Sequence, residues 1–154
     1  MKGLLNIFIS YSTELPDKRI ACSVKKYLTN YCGFNCFLAH EDIKPSIKWE
    51  ERIINSLKQT DVFLALISEK SNKAPFVQQE IGFSLALDKI IIPLKIAKIN
   101  PEGFLGTIQA LSIGKFDNYN LLLKIFQITL LLIELNQNDK KLINKIDLFF
   151  QGKY

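Results

Sequence analysis

The stretch DVFLALIS, residues 61–68, constrains this chain more than any other. Val62 to Ile67 are all apolar, with no polar residue in alternation. A strand with one wet face alternates, because successive side chains point to opposite sides of the sheet. This run does not alternate and is too short for a typical buried helix. It therefore predicts a strand covered on both faces, the kind found in parallel sheets whose crossover helices lie above and below.

The rest of the chain supplies such helices in alternation with strands. NIFISYS, 6–12, reads as a first strand ending in hydroxyls. In PDKRIACSVKKYLTNYCG, Ile20, Val24, Tyr27, Leu28 and Tyr31 recur at helical spacing, with Pro16 suited to the first turn and Gly33 to the stop. NCFLA, 35–39, is a second strand, and HEDIKPS a polar loop. IKWEERIINSLKQ is a helix with Ile53, Ile54 and Leu57 on its apolar face. SEKSNKAP reads as a loop and PFVQQEIGFSLAL, 75–87, as a helix. IIIPLKI, 90–96, is a fourth strand, where Pro93 points to an edge or bulge. LSIGKF is a short fifth strand, 118–136 an apolar helix and 138–150 a last amphipathic helix. The expectation is a flavodoxin-like, three-layer α/β fold: a mostly parallel sheet of four or five strands with helices on both faces.

Composition narrows the classes. A chain of 154 residues, 48% hydrophobic and 23% charged, suits one domain with a real core, here 1–154. The net charge of +5 suits either a phosphate-bearing ligand or a well-solvated basic surface. The lysines are dispersed, so no nucleic-acid partner is expected. Cys22, Cys32 and Cys36 are odd in number with no secretory signal before them, which reads as reduced thiols in a cytoplasm. Cys32, Cys36 and His40 are evenly spaced but lack a fourth ligand or a ligand motif, so no metal is expected. LLLKIFQITLLLIEL is broken by Lys124 and Gln127 and closed by Glu134. It falls short of the roughly 20 apolar residues that span a bilayer.

Ligands of open parallel sheets sit beyond the carboxyl ends of the strands. Those ends are polar here: Ser10-Tyr11-Ser12, then His40-Glu41-Asp42, then Ser68-Glu69. The helix at 75–87 starts just after the third, and on it Phe76, Glu80, Phe83 and Leu87 share one face. An ionised carboxylate is costly to bury without a partner. Either Glu80 escapes to solvent at the helix rim, or it lies in a pocket for a chemical reason.

Three stretches carry a resemblance. FISYS at the first strand end, CFLAHEDIKPSIKWEERIINSL through the second strand and next helix, and DVFLALISEKSNKAPFVQQEIGFSLA follow one another in the order found in TIR domains. The match is strongest over 5–97, and 137–154 reads as an extra C-terminal helix. With no receptor, repeat or coiled-coil segment in the sequence, the chain resembles a stand-alone bacterial-type TIR protein. Many TIR domains cleave NAD+ at the nicotinamide–ribose bond, and others only assemble signalling complexes. In the enzymatic group the essential glutamate follows an aromatic, usually Trp, by four residues. Glu80 follows Phe76 by four, so Phe stands where Trp is usual. Pro45 supplies the proline typical of the family's BB loop.

The resemblance implies Glu80 as the catalytic residue and NAD+ as substrate, with no other cofactor. It implies a substrate site drawn from Phe8, Ser10, Tyr11, Ser12, Arg19, Asp42, Ile43, Trp49, Ser68, Phe76 and Phe83. Read singly, several of these keep a second meaning. Ser10 and Ser12 either bind ribose or phosphate or merely end a strand; Trp49 either stacks on adenine or packs; Arg19 faces phosphates or solvent. Asp42 and Glu41 read as loop charges, and His40 either as an exposed loop residue or, from its strand-end position, as one that meets a ligand. The implied partners are further copies of the chain through TIR–TIR contacts and an effector reading a nucleotide product, as in anti-phage defence. The competing functions are a non-catalytic TIR adaptor and a nucleoside N-glycosidase of related fold. A phosphoacceptor receiver would want acidic residues at the first strand end, and a flavodoxin a Gly/Thr-rich phosphate loop; neither is present.

Overall fold

The computed structural model describes residues 5–30, 33–40, 48–108 and 110–112, together with 123, 124, 127, 128, 130 and 131. Its elements are β1 (Asn6–Ser10), α1 (Asp17–Asn30), β2 (Asn35–Leu38), α2 (Trp49–Gln59) and β3 (Val62–Ile67). Then follow α3 (Glu69–Lys73), α4 (Pro75–Ala86), β4 (Ile90–Lys95), a 3-10 turn (Gly103–Thr107) and β5 (Leu111–Ser112). The strands form one sheet in the order β2-β1-β3-β4-β5, every neighbour parallel. Among the described residues no helix is long and apolar enough to cross a membrane.

Every residue of β3 is buried, as its unbroken apolar run requires. Alternate residues serve the two faces. On one, Ile7, Ile9, Leu64, Leu66 and Leu94 pack with Ile20, Ala21, Val24 and Leu28 of α1, and with Ile128. On the other, Phe8, Phe63, Ala65 and Ile67 pack with Ile53 and Leu57 of α2, Val77 and Ile81 of α4, and Leu105. Burying each large apolar side chain contributes about 1.5–3 kcal/mol, so neither face can be left open. The chain runs from β1 outward to β2, then returns across β1 to β3. That reversal places a crevice at the carboxyl ends of β1 and β3.

Local chemistry accounts for the departures from expectation. Glu69–Lys73 is a short helix rather than loop. The Ser68 hydroxyl accepts from the Ser71 backbone N–H at 3.0 Å, and the Ser71 hydroxyl accepts from the Ser68 N–H at 2.8 Å. This is a capping box closed by Ser instead of the usual Glu or Gln. Ile54 is 37% exposed, whereas Ile53 and Leu57 face the core. Pro93 lies opposite Ala65, while β5 pairs only with Leu94 and Lys95. At Pro93 the outer side of β4 therefore has no strand partner among the described residues, a position where a missing N–H is tolerated. The fifth strand covers only Leu111–Ser112 of LSIGKF, and 113–116 lie outside the described residues. The six described residues between 123 and 131 are helical, within the expected 118–136 helix; 138–150, like Tyr31, lies outside the described residues.

Gly33 follows α1 with φ +73°, and its N–H donates to the Thr29 carbonyl at 3.2 Å. A Cβ there would meet nothing within 4 Å. Gly33→Ala is therefore expected to cost about 1 kcal/mol through backbone strain alone. A urea unfolding midpoint measures it, and an unchanged midpoint would show that the left-handed conformation is not required.

Candidate active site

Pro75 opens α4, where its fixed φ and missing N–H suit a first helical position. The face of α4 turned to the sheet is Val77, Glu80, Ile81 and Ser84. Phe76 is 50% exposed and Leu87 36%, so the stripe through Phe76, Glu80, Phe83 and Leu87 is not the buried one. Glu80 is the inward member of that stripe, only 4% exposed, and the solvated-rim reading fails.

Ser10, at the end of β1, shares the parity of Phe8 and so faces the α4 side of the sheet. Its hydroxyl, wholly buried, donates to Glu80 Oε2 at 2.5 Å. Glu80 Oε1 accepts no hydrogen bond among the described residues and lies 3.9 Å from His40 Nε2. Burial pushes the Glu80 carboxyl up to about 7, with the Ser10 hydrogen bond pulling the other way. The group stands near half-ionisation at neutral pH.

The ring nearest this unpartnered oxygen, His40, belongs to an aromatic cluster. His40 stacks on Trp49 with ring centroids 5.4 Å apart and meets the edges of Tyr11 at 5.8 Å and Phe76 at 6.2 Å. Trp49 and Phe76 meet edge to face at 4.6 Å. Two cavities adjoin the cluster. The larger, about 510 Å³, is bordered by Tyr11, Ser12, Thr13, Glu14 and His40 and by Lys70, Lys73 and Phe76. The smaller, about 340 Å³, is bordered by Trp49, Ile53, Ile54, Phe76, Glu80 and Phe83. Phe76 borders both, and both are of a size that takes small molecules.

The expected site residues divide. Glu80, Ser10, Tyr11, Ser12, Trp49, Phe76 and Phe83 converge at the strand ends. Ser10 does so through Glu80, and Ser12 Oγ accepts from the Glu14 N–H at 3.3 Å. Phe8 does not join them. It is fully buried between Phe37 and Phe63, with centroids at 5.3 and 5.5 Å, because two residues before the strand end its side chain lies in the core. Arg19 is exposed on α1 and borders neither cavity, since its neighbours Ile20 and Ala21 are the ones turned to the sheet. The Ser68 hydroxyl is spent on the α3 cap and on the Asp17 carboxylate, to which it donates. Asp42 and Ile43, with Glu41 and Pro45, lie outside the described residues.

Two groups were misread or missed. His40 reads in sequence as a loop residue, yet it is 17% exposed within the aromatic cluster. Its only signal was its place directly after a strand end. Asp17 is 2% exposed, and burial raises its carboxyl above the usual range while Ser68 opposes the shift. An Asp after Pro16 reads as a first-turn partner of the helix dipole, which hides its burial.

The raised Glu80 carboxyl has a consequence for stability. The folded protein holds this proton up to about 7, whereas an unfolded chain releases it near 4.5. Between those values the native state binds more protons, so stability falls as pH rises through the window. The loss amounts to roughly 3 kcal/mol above it. Glu80→Gln removes the ionisation and is expected to unfold later than the parent at pH 8, with the gap closing at pH 5. Thermal melts at both pH values test this, and an equal gap at each would refute it.

Comparison with solved structures finds the same fold elsewhere. The TIR domain of the Toll-related receptor TRR-2 from Hydra magnipapillata superposes with a TM-score of 0.64 at 16% identity, covering 80% of this chain and 96% of that one. A 2-deoxyribosyltransferase from Bacillus psychrosaccharolyticus superposes with a TM-score of 0.56 at 13% identity, covering 75% and 95%. The CMP N-glycosidase BcmB from Clostridium botulinum gives 0.54 at 18%, covering 77% and 98%. At these identities the likeness is one of fold. Comparison with curated proteins found no match. The family model of the TIR domain matches residues 7–123, and with a match over most of its length the chain belongs to the TIR domain family.

Proposed function

We propose that the chain cleaves NAD+ at the nicotinamide–ribose bond, giving ADP-ribose or a cyclic isomer of it. The observation that carries this reading is Glu80: a buried carboxylate with one oxygen held by Ser10 and the other without a hydrogen bond among the described residues, 3.9 Å from His40 of an aromatic cluster. Nicotinamide leaves NAD+ as a neutral base, so its departure needs no general acid. The difficulty lies in the cationic, oxocarbenium-like ribose. A carboxylate at that position stabilises the developing charge and accepts from a ribose hydroxyl, as glycosidase carboxylates do. Desolvation strengthens such an interaction. The cationic substrate itself favours the ionised form of Glu80, whose carboxyl otherwise stands near 7. Trp49 and Phe76 offer faces for flat rings and help to exclude water. The fold of the CMP N-glycosidase, shared with this chain, supports the same class of bond.

Within this reading the active site is completed by TIR–TIR assembly, the chain works in the cytoplasm of a bacterial cell in anti-phage defence, and a separate effector reads the product. The test is nicotinamide release from NAD+ by the purified protein over a dilution series, with products resolved by mass. Release that rises per molecule with concentration is expected. Silence from assembled protein would overturn the enzymatic reading in favour of a TIR adaptor.

A further inference from the structure

Resting on that reading, we infer that His40 is a second catalytic residue, the base that takes the proton of the attacking water and so commits the reaction to hydrolysis. Three observations carry this. First, His40 Nε2 is 3.9 Å from Glu80 Oε1. Two atoms at that separation both reach a single oxygen at ordinary hydrogen-bond lengths of about 2.8 Å. Second, the imidazole is fixed by rings on three sides: Trp49 beneath it, Tyr11 and Phe76 at its edges. A base needs such orientation as much as a suitable affinity for protons. Third, the two groups border neighbouring cavities. Glu80 borders the smaller cavity and His40 the larger, and Phe76 borders both. A ribosyl carbon held at Glu80 is thus open to a nucleophile on the His40 side.

The division of labour follows from what each group already does. Glu80 Oε2 is taken by Ser10, and Oε1 is required against the ribose as a lasting negative charge. A carboxylate that accepted the water's proton would lose that charge when it is most useful. His40 avoids this conflict. The water oxygen forms its bond to the ribosyl C1′, and the electrons of the C1′–N bond leave with neutral nicotinamide. One water proton passes to Nε2, giving ADP-ribose and an imidazolium that returns the proton to solvent. Among the described residues the other carboxylates on these cavities are Glu14 and Glu69 at the larger, paired with Lys70 at 3.5 Å and Lys73 at 2.8 Å, and Glu50 at the smaller, exposed on α2.

The chemistry supplies a test that separates a base from a structural residue. Water must lose a proton on attack, whereas the nitrogen of a free pyridine carries none. A general base is typically worth about 10²–10⁴ in rate. His40→Gln and His40→Phe, the latter keeping a ring against Trp49, should therefore lower ADP-ribose formation by about 100-fold. Exchange of nicotinamide for added 3-acetylpyridine should persist near the parental rate, so the ratio of exchange to hydrolysis rises by a similar factor. Retained exchange also shows that the variant is folded with its site intact. Equal loss of both reactions, or equal retention, would overturn the assignment while leaving the cleavage reading in place. So would a parent protein that cyclises or exchanges without any hydrolysis. A parent protein that neither hydrolyses, cyclises nor exchanges would remove the cleavage reading and this inference together.

Discussion

Glu80→Gln is expected to lower nicotinamide release from NAD+ by about 10³-fold, the scale on which a preorganised group facing transition-state charge contributes. The substitution is nearly isosteric. The amide oxygen still accepts from Ser10, which now bonds Oε2 at 2.5 Å, so the site keeps its shape and loses only its charge. NAD+ affinity should fall less than turnover: the pyridinium charge already attracts Glu80 in the bound substrate, and the attraction strengthens as that charge moves onto the ribose during nicotinamide departure. The parent's pH dependence follows from the same group. The carboxyl stands at about 7 in the free protein, so kcat/KM should fall as pH drops below 7, where Glu80 becomes neutral. With the cation bound the ionised form is favoured, and the midpoint for kcat should lie lower. Initial rates from pH 5.5 to 8.5 measure both. A variant as active as the parent would mean that another carboxylate does the work.

The second large effect concerns a residue that belongs to the scaffold. Phe8→Ala should destabilise the protein by about 3–5 kcal/mol, the usual cost of emptying a fully buried Phe site. Phe8 has no exposed surface and packs between Phe37 and Phe63 below the sheet's carboxyl edge. It also stands on the strand that carries Ser10, so the cavity opens beneath the Ser10–Glu80 bond. Urea unfolding reads the loss, and KM for NAD+ in the folded fraction should stay near the parent's. A stability loss under about 1 kcal/mol with a raised KM would place Phe8 among the ligand contacts instead, against its burial.

Much of this architecture is legible in the chain because its signals are local. The unbroken run in β3 demands cover on both faces, and alternation of strand with helix then leaves few topologies. Helical periodicity found the core side of α1, where Ile20, Val24 and Leu28 are buried. It could not find the core side of α4. PFVQQEIGFSLA presents two stripes of equal standing: Phe76, Glu80, Phe83 in one, and Val77, Ile81, Ser84 in the other. Only packing on the sheet chooses between them. The second stripe, with small Ser84, lies against the strands, and Glu80 is drawn inward because it stands three residues after Val77 and four before Ser84. The α3 helix escaped detection for a related reason, since five residues are too few for periodicity and its cap is closed by Ser71.

The order of residues alone points to a parallel α/β sheet, to polar strand ends gathered on one rim, and to a carboxylate four residues after an aromatic beside that rim. Each of these depends on residues close together in the chain. Tertiary structure alone decided the partners: Ser10 donating to Glu80, seventy positions apart; His40 drawn into a box of Tyr11, Trp49 and Phe76; Phe8 and Ser68 withdrawn from the site into the core and a helix cap. The physical reason is that burial and hydrogen bonding belong to neighbours in space. An acid in contact with water has an ordinary affinity for protons. The same acid buried between its helix and the sheet, with one hydroxyl donating to it, holds its proton to about pH 7.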